Sequence, residues 1–330
     1  MKIDLVYTIS GVYTNYFTPS SFAQVFLFFV LILLVAFLSN RSPFFFTRIN
    51  IINILDNTSL QLIMAIGMTF VIASGGIDLS IGSIVALSGI SIGLMLNAGI
   101  PIIASALIGV LIGGMLGLFN GFIISKFKIA SFVVTIGSMS LFRGLSLVIT
   151  KGQPIYGFPA AFTFFGKGNL GEINFPIKLA FVITCIAFLL LKYTKFGQYT
   201  LSIGGNEEAL RRVGVNINIY KSCIYMFSGI CAGIGGLILA SRLNAAEPNA
   251  GFMLETNIIA AVILGGTSMN GGKASLGGTI IACILLSVMR NGLTILSISS
   301  YYQQLFIGLI ILISVSISQI RQRRQLQINL

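Results

Sequence analysis

Residues 67–83 read Gly67-Met-Thr-Phe-Val-Ile-Ala-Ser-Gly75-Gly-Ile-Asp78-Leu-Ser80-Ile-Gly-Ser83, a carboxylate set between two apolar runs long enough to cross a bilayer. A charge at the centre of a membrane helix costs roughly 2.5–3.5 kcal/mol on insertion scales. Gly75, Gly76 and Ser80 surround Asp78, so the expected position is a break in the backbone, where polar groups answer the charge. Asp78 is then held at the junction of two spans by backbone N–H groups, or by Ser80 and Ser83. The alternative is a loop carboxylate at the cytoplasmic face.

The rest of the chain sets that break in a membrane. Of 330 residues, 56% are hydrophobic and only 8% charged, and the mean hydropathy is +0.98. Ordinary soluble domains carry about 25% charged residues, so this chain cannot cover a water-facing surface. At about 20 apolar residues per helix, it parses into about ten spans, near 22–38, 60–74, 79–97, 101–124, 130–150, 177–193, 221–241, 254–268, 274–290 and 301–318. The second and eighth are short. The alternating ten-residue pattern of an outer-membrane barrel is absent. The expected fold is an all-α integral membrane protein, one transmembrane domain over residues 1–330.

A net charge of +12 suggests nucleic acid in a soluble chain. Here the basic residues are scattered through loops, and the positive-inside rule is the better reading. With the N-terminus in the cytoplasm, inside segments hold twelve, from Lys2 through Lys126, Lys128, Lys192, Lys195, Arg211, Arg212, Lys221 and Lys273 to Arg321, Arg323 and Arg324. Outside segments hold seven, namely Arg41, Arg48, Lys151, Lys167, Lys178, Arg242 and Arg290. Both termini are therefore expected in the cytoplasm. The four cysteines lie in apolar spans without a CxxC pair and read as small buried hydrophobes. Histidine is absent, which removes the usual metal ligands and the commonest general base.

Two connections are long. Residues 151–176 hold three prolines and five glycines, which exclude a helix through most of an expected periplasmic loop. Residues 194–220 are expected inside. Their centre, Gly204-Gly-Asn206-Glu-Glu208-Ala-Leu-Arg211-Arg-Val-Gly214, carries an N-cap at Asn206, acidic residues in the first turn, basic residues in the last, and a left-handed stop at Gly214. These choices specify a short helix of about two turns. Ser105, Gly109, Gly113, Gly117, Gly121 and Ser125 recur every fourth residue, a groove for close approach of another helix. Gly233, Gly235 and Gly236 serve the same end. Their GxG is no dinucleotide fingerprint, since no strand precedes it and Ile238 takes the sixth position. The breaks at Gly75-Gly76 and Gly265-Gly266 form a weak internal echo, as in transporters with paired interrupted helices.

Nucleotide and catalytic motifs are missing. The nearest P-loop candidate ends at Gly272-Lys273-Ala274, with Thr267 at the leading glycine's place and Ala274 where Ser or Thr belongs. That loop needs both glycines and the hydroxyl. The expectation is therefore no enzyme, no metal and no cofactor bound by this chain. An ion-coupled secondary carrier needs titratable groups inside the bundle, and only Arg143 lies within a span, with Asp78 at a break and Glu255 and Arg290 at span ends.

The stretch at 67–83 closely resembles the signature of the membrane-spanning permease subunits of ribose/xylose-type ATP-binding-cassette sugar importers. Thr135-Ile-Gly-Ser-Met-Ser-Leu-Phe-Arg-Gly-Leu145, Gly152-Gln-Pro-Ile155, the Gly204–Arg211 stretch and Ile263-Leu-Gly-Gly-Thr-Ser-Met-Asn-Gly-Gly-Lys-Ala-Ser-Leu-Gly-Gly278 look like the same family. The likeness runs from about Asn53 to Ser318. Arg212-Val213 departs from it, standing where the family tends to a more polar pair. The resemblance implies a location in the bacterial inner membrane, a separate ATPase subunit that binds ATP and Mg, an extracytoplasmic sugar-binding protein, and a second permease subunit, either a copy or a paralogue. It implies that Gly205, Asn206, Glu207, Glu208, Ala209 and Arg211 form the segment that meets the ATPase. It also implies gating or structure for Asp78 with Ser80. Since sugars are neutral and polyhydroxylated, Thr69, Asn120, Thr135 and Ser138, with Arg143, are the candidates for the pathway. An ion-coupled carrier of a small polar solute is the alternative from another class.

Overall fold

Residues 21–299, with 301, 302, 305, 308 and 309, are described by a computed structural model. Its helices are α1 (Ser21–Arg41), α2 (Arg48–Ala73), α3 (Ile81–Asn97), α4 (Ile102–Phe127), α5 (Ser131–Thr150), α6 (Phe164–Lys167), α7 (Phe175–Tyr193), α8 (Lys195–Arg212), α9 (Ile217–Leu243), α10 (Leu254–Leu264) and α11 (Leu276–Ile295). Seven of them, α1, α2, α4, α5, α7, α9 and α11, are long and apolar enough to cross a membrane. α3 and α10 are shorter, and α10 spans about 16 Å at 1.5 Å per residue, half a hydrocarbon core. The expected span 301–318 lies largely outside the described residues, as do both termini.

The expected second span, 60–74, is too short. α2 starts at Arg48 and runs 26 residues. Its first half carries Asn50, Asp56, Asn57 and Gln61, which lower its hydropathy but find partners inside the protein. Asn50 exchanges amide hydrogen bonds with Asn291 at 2.7 and 3.1 Å, and Arg242 donates to Asn57 at 3.2 Å. Polar groups with partners can be buried where lone ones cannot.

α2 and α9 form the buried centre, whereas α1, α4, α5 and α7 keep large apolar side chains outside, among them Phe26, Leu107, Met115, Val133 and Phe181. Lipid is the solvent that suits such a surface. The small-residue stripe of α4 lies against α9. A Cβ on Gly113 would stand 2.8 Å from the Gly233 Cα, and one on Gly121 2.6 Å from the Ser222 Cα. Gly117 faces Gly229 in the same way, Gly109 abuts Ile92 of α3, and Ser105 is buried. Of the expected α9 glycines, Gly233 closes on α4, while Gly235 and Gly236 admit Met64 of α2 and Val85 of α3.

Contacts sort the loops onto two ends of the bundle. At the first end, Gly272 N–H donates to the Ala73 carbonyl, Ile77 N–H to Ser131 Oγ, and Lys221 Nζ to Glu207. At the second, Ile155 and Ala246 exchange backbone hydrogen bonds, Asn97 donates to the Tyr156 carbonyl, and Ser241 to the Phe162 carbonyl. α1 begins at the first end, with Gln24 bonded to Ser275, and finishes with Leu38 against Gly292. Loop 151–176 covers the second end with a 3-10 turn (Ala160–Thr163), α6, and a hairpin pairing Asn169–Leu170 with Ile173–Asn174. Between Asn244 and Met253 the chain descends into the bundle along α3, Ala246 beside Gly93 and Gly251 beside Gly82. α10 completes that crossing. One broken span therefore substitutes for a continuous helix.

Candidate functional site

Asp78 is fully buried, which excludes the reading as a loop carboxylate at a water-facing surface. Its Oδ1 accepts from Ser80 N–H at 2.9 Å and from Ser80 Oγ at 2.6 Å, and its Oδ2 from Ser228 Oγ at 3.3 Å. Ser80 Oγ in turn accepts from Asn120 Nδ2 at 2.8 Å. Ser83 does not reach the carboxylate; it donates to the Ser80 carbonyl. Ser228 lies about 16 Å along α9 from its start, so the network sits inside the membrane, joining the α2–α3 break to α4 and α9. Thr135 of α5 donates to the Ile77 carbonyl at 3.2 Å and fastens the same loop from another side. Gly75, at φ +80°, lets the chain reverse here. Gly76 leaves room for the Tyr225 ring.

Directly beside this loop three backbones meet with no side chain between them. Gly272 N–H donates to the last carbonyl of α2, Ala73, at 2.9 Å. A Cβ on Gly271 would stand 2.6 Å from the Gly204 Cα and 2.8 Å from the Gly75 N. Both Gly271 (φ +80°) and Gly272 (φ +79°) are left-handed. Gly75 of the first glycine break thus touches Gly271 in the loop that follows the second, with Gly204 of α8 against that loop, whereas Gly265 packs on Gly278 and Thr279 of α11.

α8 extends further than the expected two-turn helix over 205–214. It starts at Lys195, capped by Thr194, and is kinked at Asn206 (φ −158°, ψ 92°). Asn206 Oδ1 accepts from Ala209 N–H at 3.0 Å, the geometry of an N-cap, so the kink starts a second helix. That helix ends at Arg212, followed by Gly214 at φ +82°. Glu207 is held inside the chain by Arg211 at 3.0 Å and Lys221 at 2.6 Å. Glu208 faces outward, as do Gly205, Ala209, Arg211, Arg212 and Val213. A prefolded, exposed, charged knob at the bundle's first end is the result.

The remaining pathway candidates are not gathered at any open surface. Thr69 is buried, bonded to the Ala65 carbonyl and facing Thr279 at 3.3 Å. Ser138 is buried and donates to the Thr135 carbonyl. Arg143 reaches across the second end, donating to the Pro248 and Ala250 carbonyls at 2.7 Å each, and so pins the descending segment. Sequence reasoning missed Ser228 and Tyr225, and the packing role of Gly204 within the segment it did single out. Ser228 is one small residue among many in a glycine-rich span, and nothing local marks it as a partner of Asp78.

A family model described as branched-chain amino acid transport system / permease component matches residues 50–315. The ribose import permease protein RbsC of Haemophilus influenzae is 41% identical over 292 residues, covering 87% of this chain and 90% of that protein. RbsC of Escherichia coli K12 is 38% identical over 323 residues, 96% of this chain and 99% of that one. RbsC of Bacillus subtilis is 40% identical over 290 residues, 87% and 90% respectively. No solved structure matches the chain.

Proposed function

Because the chain belongs to the family of branched-chain amino acid transport system permease components, we propose that it is the membrane-spanning subunit of an ATP-binding-cassette importer that passes a monosaccharide inward. It is a multi-pass protein of the bacterial cytoplasmic membrane. The near full-length likeness to ribose import permeases carries the sugar reading. ATP and Mg belong to a separate ATPase subunit, sugar is delivered by an extracytoplasmic binding protein, and a second permease subunit, a copy or a paralogue, completes the pathway.

In this reading the knob formed by Asn206, Glu207, Glu208, Ala209 and Arg211 enters a cleft of the ATPase, and both termini lie on that cytoplasmic side. The positive-inside count supports the orientation. Among the described residues, eight basic side chains, Lys126, Lys128, Lys192, Lys195, Arg211, Arg212, Lys221 and Lys273, share the end that carries the knob, against seven toward the other, Arg41, Arg48, Lys151, Lys167, Lys178, Arg242 and Arg290. Movement of the knob is passed to Gly204 and from there to the end of α2 at Ala73 and to Gly271-Gly272 of the α10–α11 loop. Because the helix is capped before docking, little ordering cost opposes binding. The purified complex tests this reading. ATP hydrolysis should rise when sugar-loaded binding protein is added; uptake that follows an ion gradient and ignores ATP would identify a secondary carrier instead.

A further inference from the structure

A cavity of about 650 Å³ opens between α2, α9, α10 and α11 in the half of the bundle away from the knob. Its size falls within the usual range of small-molecule sites. Two polar stripes at helical spacing face each other across it. α2 contributes Asn53, Asn57 and Gln61, α11 contributes Arg290 and Asn291, and α10 contributes Asn257. Gln61 stands about 20 Å along α2, so the polar lining reaches the middle of that 26-residue helix. Polar side chains at that depth are costly against lipid, and they mark water-filled pathways.

Part of the lining is bonded internally. Arg242 donates to Asn57 Oδ1, Asn174 to Asp56 Oδ2, and Gln61 to the Asn257 carbonyl. The rest is not. Among the described residues, the side chains of Asn53, Asn257 and Arg290 make no hydrogen bond or ion pair within the protein, and Asp56 Oδ1 is buried without a partner. Below the cavity, the Thr69–Thr279 contact and the glycine junction close the way to the first end. The cavity is therefore a chamber of mixed polar and apolar lining, shut at its inner side.

We propose that this chamber receives the transported solute, a neutral polyhydroxylated molecule, with Asn57, Asn257 and Arg290 as its contacting groups. The assignment rests on the importer function proposed for the chain. Amides present donor and acceptor together, as each sugar hydroxyl does, and a guanidinium offers a planar fork of donors. The lining also holds apolar Ile52, Leu60, Met64 and Leu254 beside Asp56 and Arg290, the groups that an amino acid with an apolar side chain would use, so leucine is the competing solute in the test. The pathway then runs past the facing amides of α2 and α10 rather than past the buried hydroxyls of Thr135 and Ser138.

The test uses the complete complex with its ATPase and binding protein in proteoliposomes. D-Ribose, D-allose and D-galactose are screened first for stimulation of ATP hydrolysis by the wild type; if none stimulates, the importer reading itself fails. With the stimulating sugar, Asn257→Leu and Asn57→Leu should each lower uptake about tenfold, as loss of a buried hydrogen bond does, while stimulated hydrolysis persists. In a background lacking the four native cysteines, Asn257→Cys should react with a water-soluble thiol reagent and be protected by sugar-loaded binding protein under turnover. Wild-type uptake by both leucine variants, or no reaction at Asn257→Cys in a complex that still transports, overturns the assignment. Protection by leucine but not by sugar also overturns it.

Discussion

Gly204 and Gly205 are chemically identical neighbours with opposite surroundings, and replacing each by alanine separates helix propensity from packing. In a helix, Gly→Ala is worth about 1 kcal/mol in favour of alanine. Gly205 adjoins the kink at Asn206, so only part of that gain is available to it, but nothing opposes it, because a Cβ there meets nothing within 4 Å. For Gly204 the new Cβ would run into the Ala73 carbonyl oxygen at the end of α2 and stand 2.5 Å from the Gly272 N and 2.8 Å from the Gly271 Cα. Carbon atoms pack best about 3.5–4.0 Å apart, so α8 must move by about 1 Å or more from both the end of α2 and the α10–α11 loop. Overpacking of this kind costs about 1–3 kcal/mol. The movement also strains the Gly272 N–H bond to Ala73, which is 2.9 Å long. The net result for Gly204→Ala is a loss of up to about 2 kcal/mol after the helix gain is subtracted. Thermal melting of the purified complex should place Gly205→Ala at or above wild type and Gly204→Ala below it. Transport per ATP hydrolysed should fall only in Gly204→Ala, because the wedge that links the knob to the end of α2 and the α10–α11 loop has been displaced. Equal melting and equal coupling for the two variants would refute the idea that α8 acts through this junction.

The Asp78 network and the exposed knob carry two further expectations. Asp78→Ala strands three donors, and with charged hydrogen bonds worth about 1.5–3 kcal/mol each, the protein should lose several-fold in membrane abundance; Asp78→Asn keeps the acceptor facing Ser80 and should insert normally but transport poorly, and unchanged uptake by Asp78→Asn contradicts a gating role. Glu208→Lys or Ala209→Asp should leave the permease inserted while hydrolysis no longer drives uptake. Glu208→Cys should cross-link to the ATPase subunit, and its labelling by an impermeant reagent from the periplasmic side would place the knob outside the cell and invert the bundle.

The chain by itself determined everything set by local composition and spacing. Its apolar runs decide that it lives in a membrane and where most helices lie, because burial in lipid depends on the side chains of each segment alone. The signals at Asn206 and Gly214 likewise settle a cap and a stop, since both act within four residues of backbone. The four-residue stripe on α4 states that some helix approaches closely.

Only the tertiary structure decided which one, and it decided the fate of every polar residue. Asp78 is held by Ser228, 150 positions away in the sequence. Thr135 and Asn120, read from sequence as pathway groups, are fully buried supports of the Asp78 loop. The first half of α2 looks too polar to span because its partners, Asn174, Arg242 and Asn291, come from three other elements. A polar side chain in a membrane is tolerated or functional according to what faces it, and what faces it is set by packing between distant segments, which no local reading of the chain contains.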